Sequence, residues 1–341
     1  MLGAALRVFE VAYEQVVSLK ALPRAEFEYF SCLAGEVMWK SCSDYVNIKN
    51  YYRVSQQILS KAMKQEYLYN HWVINAAQAK QLISQGVTVL DVRNFATWLL
   101  GHVSGAVHVT WQQFSQQEAP YKGKLIENSK ILEHKLRDVG ICNAKPVIVV
   151  GNPSRNFGEE GRIVWMLRTL GHSQTVFVDG GYAALIQAGI PIVRSISQPQ
   201  ARGDFVVQRT GLWEAQLDEV NLAAKASTQN FALIDTRELR EYAGATPYGE
   251  QRGGHIPGAV HYYFKDLMDT KGYLLPHEQI IARLNQLGIQ QDTAIVAYCT
   301  GGIRSAFFVA VLINLGFINA KSYAGSIWEW SAAPALLYPL I

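Results

Sequence analysis

The sequence predicts an α/β protein made of two copies of one domain, each a mostly parallel sheet flanked by helices, behind an N-terminal extension. Three observations carry this reading. The chain repeats itself, apolar strand-like runs alternate with helical ones in both copies, and 341 residues exceed what one core usually organises. Nearly half of the residues are hydrophobic and only 17% are charged, a composition that folds rather than one that stays disordered.

Residues 1–68 have no counterpart later in the chain and are taken as the extension, with no chemistry assigned; Met63, just before the repeat, offers an alternative start that would set residues 1–62 aside. The first copy, 69–195, opens near His71-Trp72-Val73 and carries Val87-Thr-Val-Leu-Asp91-Val-Arg93, then Gly101-His102-Val-Ser-Gly105-Ala106-Val-His108. The second copy, 213–341, carries Phe231-Ala-Leu-Ile-Asp235-Thr-Arg237, then Gly254-His255-Ile-Pro-Gly258-Ala259-Val-His261. Each is an apolar strand ending on Asp-x-Arg, followed by a Gly-His turn into another short strand. Downstream, Leu136 to Val150 matches Leu284 to Tyr298, and Met166 to Gly181 matches Val311 to Gly325: a helix end, a Gly stop and a buried strand each time. The polar stretch Ser195 to Asp204 breaks both periodicities, and 196–212 is assigned as a linker.

Composition also excludes several roles. A formal charge of +3, with Lys and Arg scattered, gives no stripe for a nucleic acid backbone. Cys32, Cys42, Cys142 and Cys299 form no C-x-x-C pair and have no His cluster nearby, so neither zinc nor a disulfide framework is expected. No apolar run is long enough for a membrane span, and Glu10 and Glu14 interrupt what would be a signal core. The default expectation is a cytoplasmic protein without metal or cofactor.

The two copies differ where chemistry would sit. After the strand ending at Tyr298 comes Cys299-Thr300-Gly301-Gly302-Ile303-Arg304-Ser305, whereas the first copy has Gly151 in place of the cysteine. A helical run, Ala306 to Leu315, follows the loop. Ligands of parallel sheets bind beyond the carboxyl ends of the strands. In such a strand-to-helix turn, inward N–H groups, the helix N-terminus and Arg304 all favour thiolate over thiol. Cys299 is therefore the candidate nucleophile, while Cys32, Cys42 and Cys142 are taken as inert.

With Asp235-Thr-Arg237, Glu241-Tyr242, Gly254 to Ala259, the Cys299 loop and Tyr323-Ala-Gly-Ser326 before Trp328-Glu-Trp330, the chain resembles a tandem-domain rhodanese over about residues 70–335. This family comprises the thiosulfate and 3-mercaptopyruvate sulfurtransferases. The resemblance implies two rhodanese-like domains, the second catalytic and the first without its cysteine. It also implies a persulfide on Cys299, a sulfane donor, thiosulfate favoured and 3-mercaptopyruvate as the alternative, and an acceptor such as cyanide, thioredoxin or another thiol. A relay module fed by a partner protein is the reading from a different class. The loop from Cys299 to Arg304 has six residues, and related phosphatases carry one more, which widens the cradle for a tetrahedral oxyanion.

For the donor site the expectation is contact with Thr300, Gly301, Gly302, Ile303 and Arg304, with Arg304 holding the anion. Arg162 of the first copy is a further candidate, since its counterpart region is the active loop. Glu241 is placed at the donor position, where an acid weakens binding of a dianion. Asp235, Arg237 and His255 are read as structural, because Asp91, Arg93 and His102 repeat them where no cysteine exists. Trp328 and Trp330 are assigned to the core or cleft wall.

Overall fold

The computed structural model describes residues 70–226 and 230–341. The expectations for the extension, the start at Met63 and the thiols Cys32 and Cys42 lie outside the described residues. The first repeat runs β1 (Val73–Ile74), α1 (Ala76–Ile83), β2 (Thr88–Asp91), α2 (Phe95–Leu100), β3 (His102–Val103), β4 (Val107–His108), α3 (Ser129–Asp138), β5 (Val147–Val150), α4 (Glu159–Thr169), β6 (Thr175–Val178), α5 (Gly181–Gln187) and β7 (Ile192–Val193). The second runs β8 (Glu214–Ala215), α6 (Leu217–Ala226), β9 (Phe231–Asp235), α7 (Leu239–Tyr242), β10 (Val260–His261), α8 (His277–Gln286), β11 (Ala294–Tyr298), α9 (Ile303–Asn314), β12 (Ala320–Tyr323) and α10 (Ser326–Ala332).

Each repeat folds on a five-stranded parallel sheet, and the two orders, β1-β6-β5-β2-β4 and β8-β12-β11-β9-β10, match position for position. The fully buried strands at their centres, Val147–Val150 and Ile295–Tyr298, are continuous apolar runs, as a sheet covered on both faces requires. In the first repeat β3 pairs antiparallel with β7. Its second-repeat counterpart, His255, exchanges backbone hydrogen bonds with Ile341 instead, at 2.9 and 3.0 Å. Between Val193 and Glu214 the chain has no helix or strand. Among the described residues no helix is long and apolar enough to cross a membrane.

The Asp-x-Arg pairs tie strand ends to turns. Asp235 accepts Arg237 Nε and Nη2 at 3.0 and 2.6 Å, and Nη2 also donates to the Gly254 carbonyl. Asp91, Arg93 and Gly101 repeat the arrangement. His255 donates from Nδ1 to the Tyr242 carbonyl and stacks on the Tyr242 ring, as His102 does with Trp98.

The sequence-based start of the loop helix differs from the structure. Helix α9 begins at Ile303, three residues before the expected Ala306, because Gly302 takes the left-handed conformation (φ 84°) and acts as the cap. Every residue from Ile303 to Leu312 is buried, since α9 packs on its own sheet and also on α4 of the other repeat. That crossing is close. A Cβ at Gly161 would lie 2.5 Å from the Phe307 Cα, and one at Gly158 2.6 Å from its Cβ. The Asn314 side chain at the other end of α9 accepts the Trp72 and Val73 N–H groups at 2.9 and 3.1 Å.

Helix propensity alone would make Gly161→Ala stabilising by about 1 kcal/mol. Because the new methyl meets Phe307 backbone, overpacking is expected to win, with a net loss of about 1–3 kcal/mol in chemical denaturation.

Candidate active site

The Cys299 loop leaves β11 and enters α9 in a turn held from three sides. From below, the Cys299 N–H donates to Ser326 Oγ at 3.1 Å, and Ser326 Oγ donates to the Tyr323 carbonyl. From the side, the Ile327 and Trp328 N–H groups donate to the Cys299 and Thr300 carbonyls. From the other repeat, Arg162 donates to the Gly302 carbonyl at 3.2 Å, to Ser115 Oγ and to the Gly123 carbonyl. Gly301 has no room for a side chain, because the Trp328 ring lies against its Cα.

Cys299 Sγ accepts the Gly302 N–H at 3.1 Å and faces Ser305 Oγ at 3.8 Å. Burial pushes the thiol up. The Arg304 charge, the Ser305 N–H and hydroxyl and the Gly301 N–H pull harder, so the thiol lies below the ordinary cysteine range. Ser305 is itself fixed by a 2.9 Å bond to Ser322.

Arg304 and Glu241, both expected on the donor, are instead committed to each other. Two nearly parallel bonds join them, Nη1 to Oε2 at 2.6 Å and Nη2 to Oε1 at 2.8 Å, with Thr300 Oγ1 closing the triangle at 2.7 Å from Nη2 and 2.8 Å from Oε1. Both side chains are buried, so only such a bidentate pair leaves neither charge stranded. Burial pushes the Glu241 carboxyl up, but Arg304 and Thr300 hold it below the usual carboxylate range. The acid at 241 therefore neutralises the loop cation rather than facing a donor. Arg162 also departs from its assigned role. It lies behind the loop, not in front of it, and burial lowers its guanidinium while the Glu214 and Cys299 charges favour the cation.

In front of Cys299 lies a cleft of about 350 Å³ built by both repeats. The active loop lines its floor with Cys299, Thr300, Gly301, Ile303 and Arg304. Gly302 is not in that lining; its N–H points to the sulfur. The walls are Trp111, Gln112, Phe157 and Glu159 from the first repeat and Tyr248 and Trp328 from the second. Trp328 Nε1 donates to the Tyr248 carbonyl at 3.0 Å, and Tyr248 meets Phe157 edge-on at 6.0 Å. The sequence assigns Trp328 and Trp330 to the core or cleft wall and sets the stretch from Arg155 to Arg162, which holds Phe157 and Glu159, at the cleft as the counterpart of the active loop. For Phe157 and Glu159 a signal existed, since they flank Gly158, the counterpart of Gly302; for Trp111 and Tyr248 none did.

The equivalent turn of the first repeat is closed by its own chain. A Cβ at Gly151 would collide with the Glu160 carboxylate, so the acid fills the space beside the vacant nucleophile position. Glu160 is fully buried, Asn156 donates to one of its oxygens at 2.6 Å and the other has no partner. Burial pushes its carboxyl up to about 7, and the adjacent Glu159 adds to the rise.

Comparison with known proteins agrees with this double architecture. A family model described as "Rhodanese-like domain" matches residues 75–188 and again 219–333. A protein named thiosulfate sulfurtransferase from Azotobacter vinelandii is 28% identical, covering 77% of this chain and 94% of that protein. The sulfur carrier protein TtuD of Thermus thermophilus is 27% identical, over 72% of this chain and 87% of its own. Among solved structures, SseA from Escherichia coli, described as a 3-mercaptopyruvate sulfotransferase with the rhodanese fold, aligns with a TM-score of 0.66 at 24% identity, covering 75% of this chain and 98% of that one.

Two outcomes follow from this electrostatics. Alkylation of Cys299 by iodoacetamide should reach half its maximal rate below the roughly 8.5 of a free cysteine. Glu241→Gln should move that midpoint lower still, by leaving the Arg304 charge unshared, while costing about 3–5 kcal/mol of stability. Glu160 acts with the opposite sign: its folded pKa is raised, so wild type should lose stability as pH climbs from the carboxylate range toward about 7. Glu160→Gln should remove that slope of roughly 1.4 kcal/mol per pH unit in denaturation curves.

Proposed function

The chain belongs to the rhodanese-like domain family, and from that membership we propose that its second domain is a sulfurtransferase working through a persulfide on Cys299. The observation that carries this reading is the Cys299 thiol set against the Gly302 N–H at 3.1 Å, in a turn whose first-repeat equivalent has no thiol at all. The Cys299 thiolate attacks the outer sulfur of the donor. With thiosulfate the S–S bond breaks, its electron pair leaves on sulfite, and a persulfide remains. An acceptor nucleophile, cyanide or a thiol such as that of thioredoxin, then takes the outer sulfur and returns the thiolate.

The loop amides supply the electrostatic part. The Gly301, Gly302 and Ser305 N–H groups meet negative charge on either the thiolate or the persulfide, and they need no reorganisation between the two steps. Relatives are named for thiosulfate and for 3-mercaptopyruvate, and both are donors to try in the first assay. A second reading, sulfur delivered to Cys299 by a partner protein, is favoured by the likeness to a protein named a sulfur carrier.

Purified protein should form thiocyanate from thiosulfate and cyanide, and Cys299→Ser should abolish it. Full activity in that variant would overturn the assignment. Silence with both small donors, together with persulfide formation on mixing with a cysteine desulfurase, would favour the relay.

A further inference from the structure

The charges around Cys299 do not suit a small dianion. Of the residues lining the cleft, Arg304 is the one cation, and its charge is already matched by Glu241 in a bidentate pair. What remains unmatched in the lining is the Cys299 thiolate and the carboxylate of Glu159. Glu159 accepts the Phe157 N–H at 2.9 Å and forms no ion pair among the described residues; burial pushes its carboxyl up, while its own N–H, that of Phe157 and the distant Lys265 favour the charged form. The other walls are aromatic: Trp111, Phe157, Tyr248 and Trp328. Of the ammonium groups nearby, Lys265 donates to the Ser154 carbonyl, and Lys122 lies over the Trp328 ring at 4.3 Å from its centroid, with no carboxylate partner among the described residues. That is enough positive charge for one anionic group on a ligand, not for two beside a fixed carboxylate.

We propose that this cleft selects a singly charged sulfane donor with an apolar or aromatic body over thiosulfate, and that Glu159, supplied by the first repeat, is the residue that disfavours dianions. The inference rests on the sulfur-transfer reading above and narrows its substrate class. Aromatic walls gain from a flat organic group by contact area, which thiosulfate lacks. Organic thiosulfonates have this chemistry. The Cys299 thiolate attacks their terminal sulfur, the donor S–S bond breaks with its electron pair leaving on a sulfinate, and the new S–S bond is the persulfide. No proton moves, and two negative charges stand on each side.

Benzenethiosulfonate, methanethiosulfonate and thiosulfate can be compared on the full chain with cyanide as the common acceptor. Each kcat/KM is divided by the same donor's rate with free mercaptoethanol, so that intrinsic reactivity cancels. The normalised value for benzenethiosulfonate is expected to exceed that for thiosulfate by on the order of tenfold or more, with methanethiosulfonate between them. Glu159→Gln, which keeps an acceptor for the Phe157 N–H, is expected to raise the thiosulfate value about tenfold and shrink the ratio. Equal or better use of thiosulfate by wild type, or an unchanged ratio in Glu159→Gln, overturns the inference while sulfur transfer stands. If no donor yields thiocyanate although iodoacetamide alkylates Cys299, the sulfur-transfer reading falls and this one with it.

Discussion

The close crossing of α4 and α9 is the constraint on which the site depends. Gly158 and Gly161 let the two helices approach until Phe307 lies against the α4 backbone. At that distance α4 can do what a separate domain could not. Arg162 reaches the Gly302 carbonyl, and Phe157 and Glu159 become walls of a cleft whose candidate nucleophile belongs to the other repeat. The same helices begin at the turns that differ most in chemistry, so the contact sets the open Cys299 loop against the closed Gly151 turn.

Burial has been handled differently at the two turns. At Cys299 a negative sulfur is tolerated because amides converge on it and a guanidinium lies behind, itself tied to Glu241. At Gly151 the buried acid is given one amide and an orphan oxygen, and protonation is the response. One scaffold thus favours the charged form of a buried acid in one copy and the neutral form in the other. The difference lies in local donors, since the strands, helices and turns around both correspond.

Much of this was legible in the sequence. Apolar runs ending on Asp-x-Arg, at Asp91 and Asp235, marked the parallel strands and the tandem repeat, and a cysteine present in one copy alone marked the candidate nucleophile. The ion pair was not legible, because Glu241 and Arg304 are far apart in sequence and nothing local marks them as partners. Arg304 therefore looked like a free cation and Glu241 like an anion that would repel the donor. The α9 start was misplaced for a local reason: Ile303-Arg304-Ser305 has no strong helix preference, and the left-handed Gly302 decides where the turn ends. Walls such as Trp111 and Tyr248 carry no motif, since any large ring in those places would serve.

The burial of α9 on all sides has an evolutionary corollary. Two copies that once could have been independent modules now share one interior, with Phe307 and Phe308 covered from both directions. The cysteine-free copy cannot decay into a dispensable passenger, because deleting it would lay bare the helix that carries Arg304. Its own turn carries no thiol, and because Phe157 and Glu159 line the neighbouring cleft, changes in its loop would register as altered selectivity there. Variation in the silent half is thus a route by which such a chain acquires new substrates without touching its nucleophile.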